Sequence, residues 1–176
     1  MSRSARSRDW QEQPPSRNRC SELTFYSFDT SSILNGHRDL LPASIFPSLW
    51  KNVEGMIRAG NVRAVEVVLD ELSRRDDHAH SWARSQERLF LPLDLDVQSA
   101  TRRVLAEHPR LMGVGGGRNG ADPFVIGLAL ASGGTVVTEE RLTGNTSRPR
   151  IPDVCEALGV RWLPLIRFVA EQGWSF

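Results

Sequence analysis

From residue 22 onward, short runs of β-branched and aromatic residues alternate with longer stretches of helical spacing. That alternation narrows the fold more than any other feature of this 176-residue chain. Residues 24–28, 61–68, 135–138 and 160–163 read as strands. Between them, Ile45, Phe46, Leu49, Trp50, Val53, Met56 and Ile57 recur at three- and four-residue steps and are followed by Gly60, a helix stop. Leu69 opens a second helical stretch, with the charged run Arg74 to His80 on it or just beyond. Val97, Ala100, Val104 and Leu105 mark a third, ended at His108-Pro109. Phe124 to Ala131 stops at Gly133-Gly134, Ile151-Pro152 opens a short helix that Gly159 ends, and Leu165 to Gln172 closes the chain. Strands alternating with helices imply an α/β fold, a parallel sheet covered on both faces.

The length suits one domain with a real core, and 40% apolar with 24% charged residues is ordinary for a soluble protein. No apolar run approaches the ~18 residues of a membrane span, and no apolar stretch follows the N-terminal arginines as a secretory signal requires. Cys20 and Cys155 are too few and too scattered for a disulfide framework or a zinc site, which fits a reducing, cytoplasmic setting. The net charge of +1 hides an asymmetry. Residues 1–21 carry Arg3, Arg6, Arg8, Arg17 and Arg19 against Asp9 and Glu12, and they read as a disordered basic extension to a domain spanning 22–176. The body is slightly acidic, which argues against a broad basic grip on nucleic acid.

Within this frame the acids stand out. Asp29 closes the apolar run Phe25-Tyr26-Ser27-Phe28, at the carboxyl end of the first strand, where open α/β sheets bind ligands. Glu71 begins the helix after the second strand, Asp122 stands before Pro123 at a helix start, and Glu139-Glu140 follow the third strand. Carboxylates ~4 Å apart repel by roughly 4 kcal/mol at an effective dielectric near 20, so a cluster of them requires protons or a cation. Mg²⁺ or Mn²⁺ suits oxygen ligands and binds through few carboxylates plus substrate phosphate. Each acid also has a structural reading. Asp122 before Pro123 is a good N-cap, Glu71 is a first-turn acid beside Glu66 and Asp70, and Glu139 and Glu140 are loop acids. Asp29 is hardest to dismiss, because a carboxylate ending a buried strand needs a partner.

Other signals carry less. Asp76-Asp77-His78-Ala79-His80 has metal-binding residue types, but helical side chains two apart do not share a face. The loop Gly113 to Gly120 lacks the Gly-Lys-Ser/Thr ending of a phosphate loop. It reads as a flexible approach to Asp122, with Arg118 and Asn119 as phosphate contacts. Trp50 belongs to an apolar helix face and reads as core. No serine sits in a nucleophile-elbow pattern. Ser31 stands where a haloacid-dehalogenase phosphatase needs a second Asp, and a phosphoreceiver domain lacks its late lysine, since Lys51 is alone.

The ordered set Tyr26-Ser27-Phe28-Asp29-Thr30-Ser31, Glu71-Leu72, Ala121 to Ala129 and Thr135 to Glu140 resembles the PIN domain, a family of metal-dependent nucleases that includes the VapC-type toxins of bacterial toxin–antitoxin pairs. The helix at Ile45 to Trp50 and the segment Ile151 to Val160 resemble a larger, uncharacterised PIN-like subfamily, and the resemblance covers about residues 24–176. It implies a three-layer α/β/α sandwich around a mostly parallel sheet, and an acidic Mg²⁺ or Mn²⁺ site that cuts RNA. Asp29, Glu71 and Asp122 match the family's first three acids. The fourth stands two after a threonine, which is Glu140, with Glu139 the adjacent candidate. Thr30 and Thr138 match the small hydroxyl positions beside the acids and are candidates to meet substrate. The family also implies a cognate antitoxin and a homodimer. A degenerate PIN-like RNA-binding or scaffold protein is the alternative.

Overall fold

The computed structural model describes residues 24–74, 78–112 and 120–175. The N-terminal extension with Cys20, the acids Asp76 and Asp77, and the glycine-rich approach with Arg118 and Asn119 lie outside the described residues.

Five short strands form one parallel sheet: β1 (Tyr26–Phe28), β2 (Val62–Val65), β3 (Phe90–Leu91), β4 (Thr135–Val137) and β5 (Arg161–Leu163), in the order β3-β2-β1-β4-β5. The helices are α1 (Thr30–Asn35), α2 (Pro47–Ala59), α3 (Glu66–Ser73), α4 (His78–Ser85), α5 (Leu95–Glu107), α6 (Asp122–Ser132), α7 (Ile151–Leu158) and α8 (Leu165–Glu171). This is the α/β architecture expected of a PIN-like chain. Among the described residues, no helix is long and apolar enough to cross a membrane.

The order runs outward from β1 to β3 on one side and from β4 to β5 on the other, so the strand order reverses between β1 and β4. Crevices at the carboxyl ends of such a pair are where open α/β sheets place ligands. Register puts Phe28 opposite Val137 and Val137 opposite Leu163, so these strands end level with one another. The ladder continues one step further, with Asp29 N–H donating to the Val137 carbonyl and Thr138 N–H to that of Leu163.

The central strands β1 and β4 are buried throughout, as both-face coverage requires. One polar residue in them positions a helix. Ser27 is fully buried, and its Oγ donates to the Val125 carbonyl at 2.9 Å, pinning the first turn of α6 against β1. Gly60 ends α2 in the left-handed conformation that glycine adopts without a Cβ penalty. Trp50 is core, as its helical spacing indicates, and its Nε1 donates to the Leu41 carbonyl at 2.7 Å. Cys155 is likewise a buried core residue.

Three features depart from the sequence pattern or are missing from it. The second strand stops at Val65 rather than Val68, because Val68 and Leu72 form the buried face of α3 at four-residue spacing. Glu71 therefore sits well inside α3, not at its start. The chain after Asp29 is helical (α1, then a π-helical turn at Gly36–Leu40) although Thr30-Ser31-Ser32 carries no apolar periodicity. Finally, β3 has no counterpart in the sequence pattern, since two residues give no period.

Helices α5 and α6 pack tightly at Gly127. A Cβ there would lie 3.1 Å from the Thr101 nitrogen and 3.2 Å from its Cα, besides meeting the Thr101 hydroxyl. Backbone cannot give way as a flexible side chain can. Gly127→Ala is therefore expected to destabilise the fold by about 1–3 kcal/mol, read from the midpoint of urea unfolding; an unchanged midpoint would mean the helices part without strain.

Candidate active site

Asp29 is the N-cap of α1 and is buried, at 3% exposure. Its Oδ2 accepts three hydrogen bonds, from Ser31 N–H (3.2 Å), Ser31 Oγ (2.5 Å) and Thr138 Oγ1 (2.9 Å). No hydrogen bond reaches Oδ1 from the described residues. Thr138, in turn, accepts from the Glu140 amide at 3.1 Å, and Ser31 Oγ accepts from the Glu139 amide at 2.9 Å. The exits of β1 and β4 are thus tied to one another through hydroxyls around a single carboxylate oxygen.

Asp122 is the first residue of α6, and Ala121 holds the cap position, so the N-cap reading of Asp122 does not describe this helix. The side chain is 6% exposed and its Oδ2 is buried with no hydrogen-bond partner among the described residues. A buried polar atom without a partner costs free energy, and a buried charge costs more. Burial pushes the Asp122 carboxyl up to about 9, reinforced by Asp29, then Glu140, then Glu71, against a smaller opposing pull from Arg150. Asp29 is pushed up to about 6, first by burial, with the Ser31 hydrogen bond opposing and the Glu140 charge adding to it.

Glu71 reaches the same region from α3. Its Oε2 accepts from Thr30 Oγ1 at 2.6 Å and its Oε1 from the Ala121 amide at 3.0 Å, an otherwise open donor at the start of α6. Glu140 accepts from the Ile151 amide and from Arg150 Nη1, both at 2.8 Å, which satisfies the start of α7. Glu139 turns the other way, and its Oε1 accepts from the Leu165 amide at 2.7 Å at the start of α8. Asp29, Glu71, Asp122 and Glu140 therefore share one electrostatic field, whereas Glu139 ties down a helix.

The hydroxyls expected beside the acids are both engaged by them, Thr30 by Glu71 and the fully buried Thr138 by Asp29. Sequence reasoning missed Ser31 and Arg150 as site residues. Asp29 followed by Ser31 at an N-cap was readable as a local side-chain-to-backbone bond. Arg150 gave no signal, because its relation to Glu140 depends on how the intervening loop folds back.

Three oxygens receive no hydrogen bond from the described residues: Asp29 Oδ1 and both carboxylate oxygens of Asp122. Among the described residues, no three Asp, Glu, His or Cys side chains surround a point where an ion would sit. Mg²⁺ keeps several waters and is held through one or two carboxylates, so two carboxylates with unpartnered oxygens, flanked by two acids already bonded to the fold, fit such an ion. The orphaned Oδ2 is the observation that supports the fit. A separate cavity of about 750 Å³ lies behind the loop after Glu140, with His108, Pro109, Leu142, Asn145, Pro149 and Ala157 in its walls, and none of the four carboxylates lines it.

Residues 26–176 match the family described as "Domain of unknown function (DUF4411)". No curated protein sequence matches the chain. Among solved structures, the chain is similar to one in the crystal structure of VapBC2 from Rickettsia felis bound to a DNA fragment from their promoter. The TM-score is 0.50 at 16% identity, over 80% of this chain and 98% of that one, a likeness of fold. The protein belongs to the DUF4411 family and has a PIN-like α/β fold.

Proposed function

We propose that the protein is a metal-dependent endoribonuclease that hydrolyses RNA phosphodiesters with Mg²⁺ or Mn²⁺. The observation that carries this reading is Asp122, buried beside other acids with an oxygen that nothing in the described fold satisfies. When bound, the cation would lower the pKa of a water for in-line attack and screen the charge building on phosphorus. Asp29 and Asp122 are the residues that would hold it directly. Ser31 and Thr138 fix the orientation of Asp29 from one side, leaving its other oxygen open. Glu71 and Glu140, anchored at the starts of α6 and α7, would accept hydrogen bonds from the water shell or help hold a second ion.

The fold shared with the VapBC2 chain supports a narrower reading, a toxin held in check by a cognate antitoxin. A second reading has one observation in its favour. Every oxygen of Glu71 and Glu140 is already engaged by the fold, as in a PIN-like RNA-binding or scaffold protein that has lost catalysis.

The test is incubation of the purified protein with total RNA and millimolar Mn²⁺. Cleavage is expected for the native chain and for Glu139→Gln, and is expected to fall by roughly 10²-fold or more in Asp29→Asn and Glu140→Gln, the loss typical of one preorganised electrostatic group. Equal cleavage by native protein and Asp29→Asn would sink the catalytic reading, and no cleavage by either would favour the scaffold.

A further inference from the structure

The connection from β4 to α7, residues 138–150, is long for a segment without helix or strand, and loops of this length in compact domains are usually functional. Its stretch Arg141 to Arg150 contains three arginines and no acid, although the body of the protein is net acidic. All three arginines are exposed. Arg141 and Arg148 have no carboxylate partner among the described residues, and Arg150 reaches back to Glu140 at 2.8 Å. Both ends of the loop therefore stand at the carboxylate cluster.

Asp153, in the first turn of α7, holds the loop in place. Its carboxylate accepts from Thr143 N–H (2.8 Å), Thr143 Oγ1 (2.7 Å), Gly144 N–H (2.6 Å) and Arg150 N–H (2.8 Å). Burial alone would raise its pKa, but those four donors together pull it down, so it stays charged and keeps its grip. Gly144 turns the chain there at φ 67°, which other residues rarely adopt. Asn145 Oδ1 then accepts from Ser147 and Arg148 N–H, setting the approach to Arg148. A loop fixed this way presents its guanidinium groups with little ordering left to do on binding.

We propose that Arg141, Arg148 and Arg150 form a rail for the phosphodiester backbone of single-stranded RNA, with Asp153 as its positioning residue. The rail carries the strand toward or away from the carboxylates. Guanidinium groups suit phosphate oxygens because their N–H donors are planar and paired. The cavity behind the loop is a poorer place for phosphate, since Glu107, Asp153 and Glu156 outnumber Arg110 in its lining. This inference rests on the RNA-cutting reading of the carboxylate site, but its test does not require cutting.

Binding of a fluorescein-labelled single-stranded oligoribonucleotide is measured by anisotropy over a salt series in EDTA, with the full chain. The Arg141→Ala/Arg148→Ala double variant is expected to bind roughly 10- to 30-fold more weakly near 0.1 M salt. Its plot of log affinity against log salt should be shallower by about 1.4, or 0.7 for each single-strand phosphate that is no longer neutralised. The double Lys variant should keep most of the slope, and both should keep the native thermal midpoint. Asp153→Ala should weaken binding although all three arginines remain. Native affinity and slope in the double Ala variant, no RNA binding by the native chain, or tighter binding of the same sequence as DNA would each overturn the rail. Loss of cleavage with the rail intact would overturn only the catalytic reading.

Discussion

Asp122→Asn is expected to make the metal-free protein more stable while abolishing the proposed metal-dependent cleavage. In the folded chain the Asp122 carboxyl titrates near 9, against 3.8 for the ordinary group. The folded state therefore holds a proton that the unfolded chain releases. This contribution to stability is full below about pH 4 and declines as pH rises toward 9, the window between those two values. Asparagine has no such dependence. At roughly 1.4 kcal/mol per pH unit, and allowing for relaxation around the charge, the gain near pH 7 is about 2–4 kcal/mol. For a domain of this size that is a rise in thermal midpoint of about 4–16 °C. Differential scanning calorimetry in EDTA at pH 5 and pH 8 checks the sign. A variant no more stable than the native chain at pH 8 would mean that the carboxylate finds a partner in solution.

Millimolar Mn²⁺ is expected to raise the thermal midpoint of the native protein and to leave Asp29→Asn and Asp122→Asn unmoved. A ligand at a hundred times its Kd stabilises by about 2.7 kcal/mol, or roughly 5–10 °C here. The cation must displace the proton on Asp122, so its apparent affinity should strengthen by about tenfold per pH unit as pH rises toward 9. The shift should therefore be small at pH 5 and large at pH 8, opposite in direction to the metal-free stability. A metal-induced shift that is the same in Asp122→Asn would place the ion elsewhere.

The alternation of strand and helix was legible because it depends on local period, and the runs 61–68, 135–138 and 160–163 each begin directly after a glycine. The limits of that reading are equally local. Glu66-Val67-Val68 has β-branched composition, yet burying Val68 with Leu72 needs a helix, and tertiary packing overrode residue preference. Of the site, the acids were visible one at a time, and the structure brings four into a shared field. The choice between Glu139 and Glu140 depended on which helix start lay on each side of the strand exit. Nothing in residues 138–140 encodes where α7 and α8 begin in space. Arg150 was invisible for the same reason.

The unpartnered Asp122 oxygen also has an evolutionary consequence. A descendant of this chain that no longer bound a cation would gain stability from almost any neutral residue at position 122, so drift would erase that acid early. Glu139, which secures α8, would persist under selection for folding alone. Among relatives, an intact position 122 is thus a better marker of a working site than the conspicuous acid pair after β4.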